Sequence, residues 1–233
     1  MSGSGASGHI ARTEQPSGSR LVRWTLFAAG LLSAALLVAL LAYGVLAQIP
    51  DTSIDASLAG GQPVPAPPFR LAVLQRGGLG PLLGPRLGAL LGAPELSLRE
   101  LRGTPVVLNF YASWCLTCQA EATTLERVWR KLARPRGVLF LAVDIQDSQV
   151  EARAYLRRYG IDYPNVRDPS GDVAELLYQI TGVPETFFVD AQGQIVGHII
   201  GISSASELAG GIGAALAGRV SVARSGGAER LLR

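Results

Sequence analysis

Cysteine and histidine are scarce: two of each occur in 233 residues. That count leaves a disulfide-stapled mini-domain, a four-ligand zinc site and a haem-attachment motif without support. A surplus of one charge is missing too. Lys and Arg number 21 against 18 Asp and Glu, a net +3, which is too even for a nucleic-acid groove. Charged residues make up only 17% of the chain and hydrophobic ones 48%, with a mean hydropathy of +0.28. A wholly disordered chain is therefore excluded, and there is more apolar sequence than one core requires. The length suits one ordinary domain with additions.

The additional apolar sequence lies near the N-terminus. Residues 24–49 are uncharged and rich in Leu and Ala, and at ~1.5 Å per residue they exceed the ~30 Å hydrocarbon core of a bilayer. Val45-Leu46-Ala47 would suit a signal-peptide cut, but the apolar region of a signal peptide is typically about 7–15 residues. An uncleaved transmembrane anchor is the expectation. Arg12, Arg20 and Arg23 precede the stretch, and Asp51 and Asp55 follow it, so the N-terminus is expected in the cytoplasm and the remainder across the membrane. The chain then divides into a disordered cytoplasmic tail (1–23), the anchor (24–49), a flexible Pro- and Gly-containing tether (50–64), a folded domain (65–218) and a disordered C-terminal tail (219–233). The Gly-, Leu- and Pro-rich insertion 79–93 is compatible with a short helix or with an apolar loop.

Within the domain, strand and helix patterns alternate. Val106–Tyr111 and Val138–Asp144 are short apolar runs of the buried-strand kind. Cys118–Leu132 places Leu125, Val128, Trp129 and Leu132 on one helical face. Ser148–Tyr159 reads as an amphipathic helix closed by Gly160, and Asp172–Ile180 as a shorter one. Thr186–Val189 and Ile195–Ile200 flank Asp190-Ala191-Gln192-Gly193 as a hairpin, and Ser204–Leu216 closes the domain as a helix. This order predicts an α/β fold with a mixed central sheet flanked by helices.

Both cysteines fall in Trp114-Cys115-Leu116-Thr117-Cys118, between the end of a buried strand and the first turn of a helix. Unpaired backbone N–H groups and the helix dipole favour negative charge there. A thiolate is the species that attacks a disulfide, and its formation is favoured at such a position. Cys115 is therefore expected to attack. Cys118, one turn further on, is expected to close a ring with it and release the bound partner. Inert burial fits poorly with a helix mouth, and the lack of a neighbouring His or further Cys sets metal binding aside, copper included. No metal and no cofactor are expected. His198, in the middle of a strand, reads as packing or edge decoration.

At these residues the chain resembles membrane-anchored thioredoxin-like thiol:disulfide oxidoreductases of the TlpA, ResA and CcmG (DsbE) type. Leu98–Phe110, Trp114–Glu121, Tyr159-Gly160-Ile161 and Gly182–Asp190 carry the likeness in order, and Gly182-Val183-Pro184-Glu185-Thr186-Phe187 is nearest the cytochrome c maturation branch. The resemblance implies a thioredoxin-like fold preceded by one N-terminal transmembrane helix. It further implies a cis bond between Val183 and Pro184, with Trp114, Val183 and Pro184 contacting an extended substrate segment. It makes Glu121 and Glu185 candidates for acid–base assistance beside Cys115 and Cys118. Two departures from thioredoxin stand out: Asn109 replaces a buried aspartate and cannot titrate, and Leu116-Thr117 lacks thioredoxin's proline. Thioredoxin's potential therefore does not transfer. The implied partners are extracytoplasmic disulfide-containing proteins such as apocytochrome c, with a transmembrane thiol electron donor to restore the dithiol. A thiol oxidase, a peroxide-reducing enzyme or a non-catalytic tethered binding module remain as alternatives on the same fold.

Overall fold

The computed structural model describes residues 18–47 and 53–220. The chain divides into two units, Met1–Pro50 and Asp51–Arg233. Of the expected tails and tether, residues 1–17, 48–52 and 221–233 lie outside the described residues. In the first unit, α1 (Gly18–Ala47) is a single helix, and its Val22–Leu41 portion, with mean hydropathy 2.2, is long and apolar enough to cross a membrane. The helix starts earlier than Trp24 because no proline interrupts Gly18–Arg23, so polar residues simply continue the apolar helix.

The second unit runs α2 (Ser53–Ala59), β1 (Val64–Pro65), β2 (Arg70–Gln75), α3 (Gly80–Gly92), β3 (Glu95–Ser97), β4 (Val106–Tyr111), α4 (Leu116–Val128), β5 (Leu139–Ile145), α5 (Gln149–Tyr159), β6 (Asn165–Asp168), β7 (Glu185–Val189), β8 (Gln194–Ile200) and α6 (Ala205–Ala217). The strands form one mixed sheet in the order β1-β8-β7-β4-β5-β6-β2-β3. β4 is parallel to β5 and antiparallel to β7. Its residues, like those of β5, are all buried, which explains their near-continuous apolar sequence.

Side chains of a strand alternate between sheet faces, and here the two faces differ. Asn109 and Thr186 point towards α4 and the β8–α6 loop, where Asn109 meets Glu121 and Thr186 meets Ser203. Phe110 and Phe187 point the other way, into an aromatic cluster with Tyr178, and Phe69 packs on Tyr178 in turn.

Three expectations need correction or completion. The tether is in part structured: α2 buries Ile54 and Leu58, four residues apart on one helical face, and β1 pairs with β8 through Val64 and Ile195. The Gly and Pro residues that suggested a tether lie after α2, where Gly61 adopts φ 73°. The 79–93 insertion is α3, with Leu83, Leu87 and Leu91 buried along one stripe and Arg86 donating to the Gly103 and Arg102 carbonyls. The expected helix Asp172–Ile180 is only a π turn over Val173–Leu177, anchored where the Ala174 N–H donates to Asp168. Because Leu87 is fully buried, Leu87→Ala is expected to lower the unfolding free energy by about 2–4 kcal/mol in denaturant titrations. An unchanged midpoint would mean that α3 does not pack on the core.

Candidate active site

β4 delivers the chain to the sheet's upper edge, and the loop Ala112–Trp114 carries it into α4. That loop is held by its neighbours. The Ser113 N–H donates to Asp147 at 2.8 Å, the Trp114 indole N–H donates to the Gln146 carbonyl at 3.2 Å, and Gln119 donates to the Ser113 carbonyl at 2.9 Å. Cys115 is the N-cap of α4, and its sulfur accepts the Cys118 N–H at 3.0 Å. A helix start leaves such N–H groups without partners, so the sequence position of Cys115 places a sulfur where a backbone donor needs an acceptor. Cys115 and Cys118 form a disulfide with Cα atoms 5.2 Å apart.

Both cysteines are buried, Cys115 at 6% and Cys118 at 1% exposure, yet the rim around them is open: Trp114 is 57% and Leu116 79% exposed. The Val183–Pro184 peptide is cis. Its Val183 carbonyl oxygen lies 3.4 Å from the Cys115 sulfur and 3.4 Å from the Thr117 hydroxyl, which itself sits 3.1 Å from that sulfur. Cys115, Cys118, Trp114, Val183 and Pro184 therefore converge, with Thr117 added.

The two glutamates have different partners on opposite sides of the sheet. Glu121 is buried on the α4 face. Its Oε1 accepts from Asn109 at 3.3 Å and its Oε2 accepts from the Ser203 N–H at 2.8 Å. Burial pushes its carboxyl up to about 7, although the hydrogen bonds from Ser203 and Asn109 pull the other way. Glu185, also buried, begins β7 directly after Pro184 and shares the opposite face with Phe187. Its Oε2 lies 3.0 Å from Nε2 of His198, whose Nδ1 is 2.8 Å from Asp55 of α2. His198 is thus not edge decoration; it bridges two carboxylates. Burial lowers its pKa, but the hydrogen bonds and charges of Asp55 and Glu185 outweigh that and raise it.

Residues 88–198 match the AhpC/TSA family. A thiol-disulfide oxidoreductase ResA of Bacillus thuringiensis (strain Al Hakam) is 27% identical over 120 residues, 52% of this chain and 68% of the relative. The thiol:disulfide interchange protein DsbE of Pseudomonas fluorescens biotype C is 31% identical over 112 residues, 48% of this chain and 60% of the relative. The chain is a thiol-disulfide oxidoreductase, similar to the ResA and DsbE proteins. Two solved structures bear out its thioredoxin-like fold. A DsbF homologue from Corynebacterium diphtheriae superposes with TM-score 0.52 at 22% identity, covering 65% of this chain and 87% of the other. A putative DsbE from Chlorobium tepidum does so with TM-score 0.51 at 23% identity, covering 66% and 96%.

Several residues of this oxidoreductase's site escaped the sequence reading. Thr117 was visible only as part of a dipeptide. Asp147 and Ser203 reach the site from loops far along the chain. The Glu185–His198 contact had a signal, since the hairpin turn sets Phe187 opposite His198 and leaves Glu185 diagonal to it on the same face. Asp55 had none, lying 143 residues from His198.

The raised Glu121 carboxyl has a consequence for stability. A carboxyl that binds its proton more tightly folded than unfolded stabilises the fold below its unfolded pKa and loses that contribution as pH rises through its folded value. The window here runs from about 4.5 to about 7. Relative to the parent, Glu121→Gln is expected to be more stable at pH 8 than at pH 4.5 in urea titrations. A difference independent of pH would show that Glu121 titrates normally.

Proposed function

We propose that this oxidoreductase is tethered by α1, works outside the cytoplasm, and reduces disulfides of client proteins, apocytochrome c among them, during cytochrome c maturation. The observation that carries the reading is the seat of Cys115. Its sulfur accepts a backbone N–H at the mouth of α4, beside a carbonyl of the cis-proline segment and within an exposed apolar rim.

In the reduced protein, the Cys115 thiolate attacks one sulfur of a client disulfide, and the other client sulfur leaves as a thiolate and takes up a proton. Cys118, as thiolate, then attacks the Cys115 sulfur of the mixed disulfide and expels the second client thiol. The enzyme is left with the Cys115–Cys118 disulfide and the client with two thiols. A transmembrane thiol donor restores the dithiol. Trp114, Val183 and Pro184 receive an extended client segment, and Glu121 serves as the proton acceptor nearest Cys118 along α4, one turn away. With Asn109 unable to titrate, that task falls to a carboxyl which burial has already brought to about 7. The Val22–Leu41 span and the arginines ahead of it support the tether and its orientation.

Cys115→Ser is expected to abolish reduction of a model disulfide, and Cys118→Ala to accumulate a mixed disulfide whose client mass spectrometry identifies. A Cys115→Ser protein working at the parent rate would end the mechanism. Direction is tested by equilibration with glutathione: a reductant's potential falls below about −200 mV, whereas one near −120 mV marks an oxidant.

A further inference from the structure

The bridge Asp55–His198–Glu185 lies outside the cysteine pair and its helix, yet it ends one residue from the cis-proline. Glu185 follows Pro184 directly. The Pro184 carbonyl accepts the Gly201 N–H at 2.9 Å, and the Val183 carbonyl stands 3.4 Å from the Cys115 sulfur. The segment facing Cys115 is therefore held to β8 by one backbone bond and, through Glu185, by the ring of His198. That ring has little freedom to turn. It stacks on Phe187 with centroids 3.9 Å apart and planes 8° from parallel, and its side chain is only 7% exposed. Each nitrogen is aimed at a different carboxylate, at 2.8 and 3.0 Å.

We propose that His198 is a positioning residue of the redox site: clamped outside by Asp55, it holds Glu185, and with it the Val183–Pro184 segment, in place against Cys115. This rests on Cys115 being the attacking thiolate.

The chemistry of the bridge gives the clamp two states. An imidazolium donates at both nitrogens and satisfies both carboxylates; a neutral ring donates at one only. Losing that proton leaves a carboxylate without its donor, which is costly at buried Glu185 and mild at half-exposed Asp55. The charged groups acting on the ring are Asp55 from α2 and Glu185 from β7, while Phe187 covers one of its faces. Their combined pull keeps the ring protonated to higher pH than an isolated histidine. A cationic ring behind the cis-proline segment favours a thiolate in front of it; a neutral ring leaves Glu185 to oppose one. Proton binding at His198 and reduction of the disulfide must then favour each other, and by linkage the effect is reciprocal.

That reciprocity is measurable on the unmodified full-length chain in detergent micelles. The chain has two histidines, His9 and His198, so selective 15N labelling gives two ring signals, assigned with His9→Gln. Titrated between pH 5.5 and 9, His198 is expected to have its midpoint above 6.5. That midpoint should be higher in the dithiol than in the disulfide form by about 0.3 unit, a twofold change in proton affinity. Midpoints that coincide in the two forms overturn the proposal. His198→Gln supplies a second reading: alkylation of reduced Cys115 by iodoacetamide is expected to be about threefold slower than in the parent at pH 6.5, converging by pH 9. A lowered Tm with a superimposable alkylation profile would reduce His198 to a structural part and overturn the proposal equally. Failure of the redox reading looks different. Cys115→Ser would then reduce a model disulfide at the parent rate, whereas an inactive Cys115→Ser together with coincident midpoints removes the role of His198 alone.

Discussion

The hydrogen bond from the Cys118 N–H to the Cys115 sulfur is the contact on which the rest of this domain depends. A helix has to begin somewhere, and its first N–H groups face outward without partners. Here the acceptor is the sulfur of the cysteine that caps the helix. The arrangement holds only if the turn before α4 is fixed, and three hydrogen bonds fix it, two donated to Asp147 and to the Gln146 carbonyl and one received from Gln119. Gln146 and Asp147 stand where they do because β4 and β5 run parallel with Tyr111 opposite Asp144, so that the loop after β5 opens beside the loop after β4. The sheet register and the sulfur's surroundings are in this sense one constraint.

The same sheet divides the site's carboxylates. Successive residues of β7 face opposite sides, so Thr186 joins Asn109 and Glu121 on the α4 side while Glu185 joins His198 on the other. On the first side the donors to Glu121 are an amide and a backbone N–H, both neutral, and burial dominates. On the second side the partner is a basic ring. Two glutamates that look alike in sequence, one on α4 and one on β7, are thereby given opposite surroundings on the two faces of the sheet.

What could be read in the sequence follows from the range of the interactions. The cysteine spacing, the apolar runs of β4 and β5, the Ser148 and Gly160 boundaries of α5 and the hairpin of β7 and β8 are local patterns, and all are present. The order of these elements was enough for a mixed sheet. The short strands β2, β3 and β6 carry weak patterns and exist through pairing with partners far along the chain. α2 and α3 were obscured by composition: Gly and Pro suggested a tether or a loop, whereas the four-residue spacing of Ile54 with Leu58, and of Leu83, Leu87 and Leu91, decides the outcome once a core is there to receive it. The His198 bridge needed a cross-strand register and a helix from the start of the domain, and no short window of sequence contains both.

Asn109 has no proton to titrate, yet it shapes the surroundings of Glu121. Its amide nitrogen carries two hydrogens; one goes to Glu121 at 3.3 Å and the other to the Thr186 hydroxyl at 3.0 Å, while the Ser203 hydroxyl lies 3.4 Å from Thr186. With both hydrogens committed, the amide cannot flip without losing a buried partner, so it points donors, never an acceptor, at Glu121. A neutral donor steadies the carboxylate without supplying charge, and the Ser203 N–H on the other oxygen does the same. Burial outweighs these bonds and sets the direction in which Glu121 titrates. A group that cannot change charge thus helps fix the orientation of one that can, which α4 itself places a single helical turn beyond Cys118.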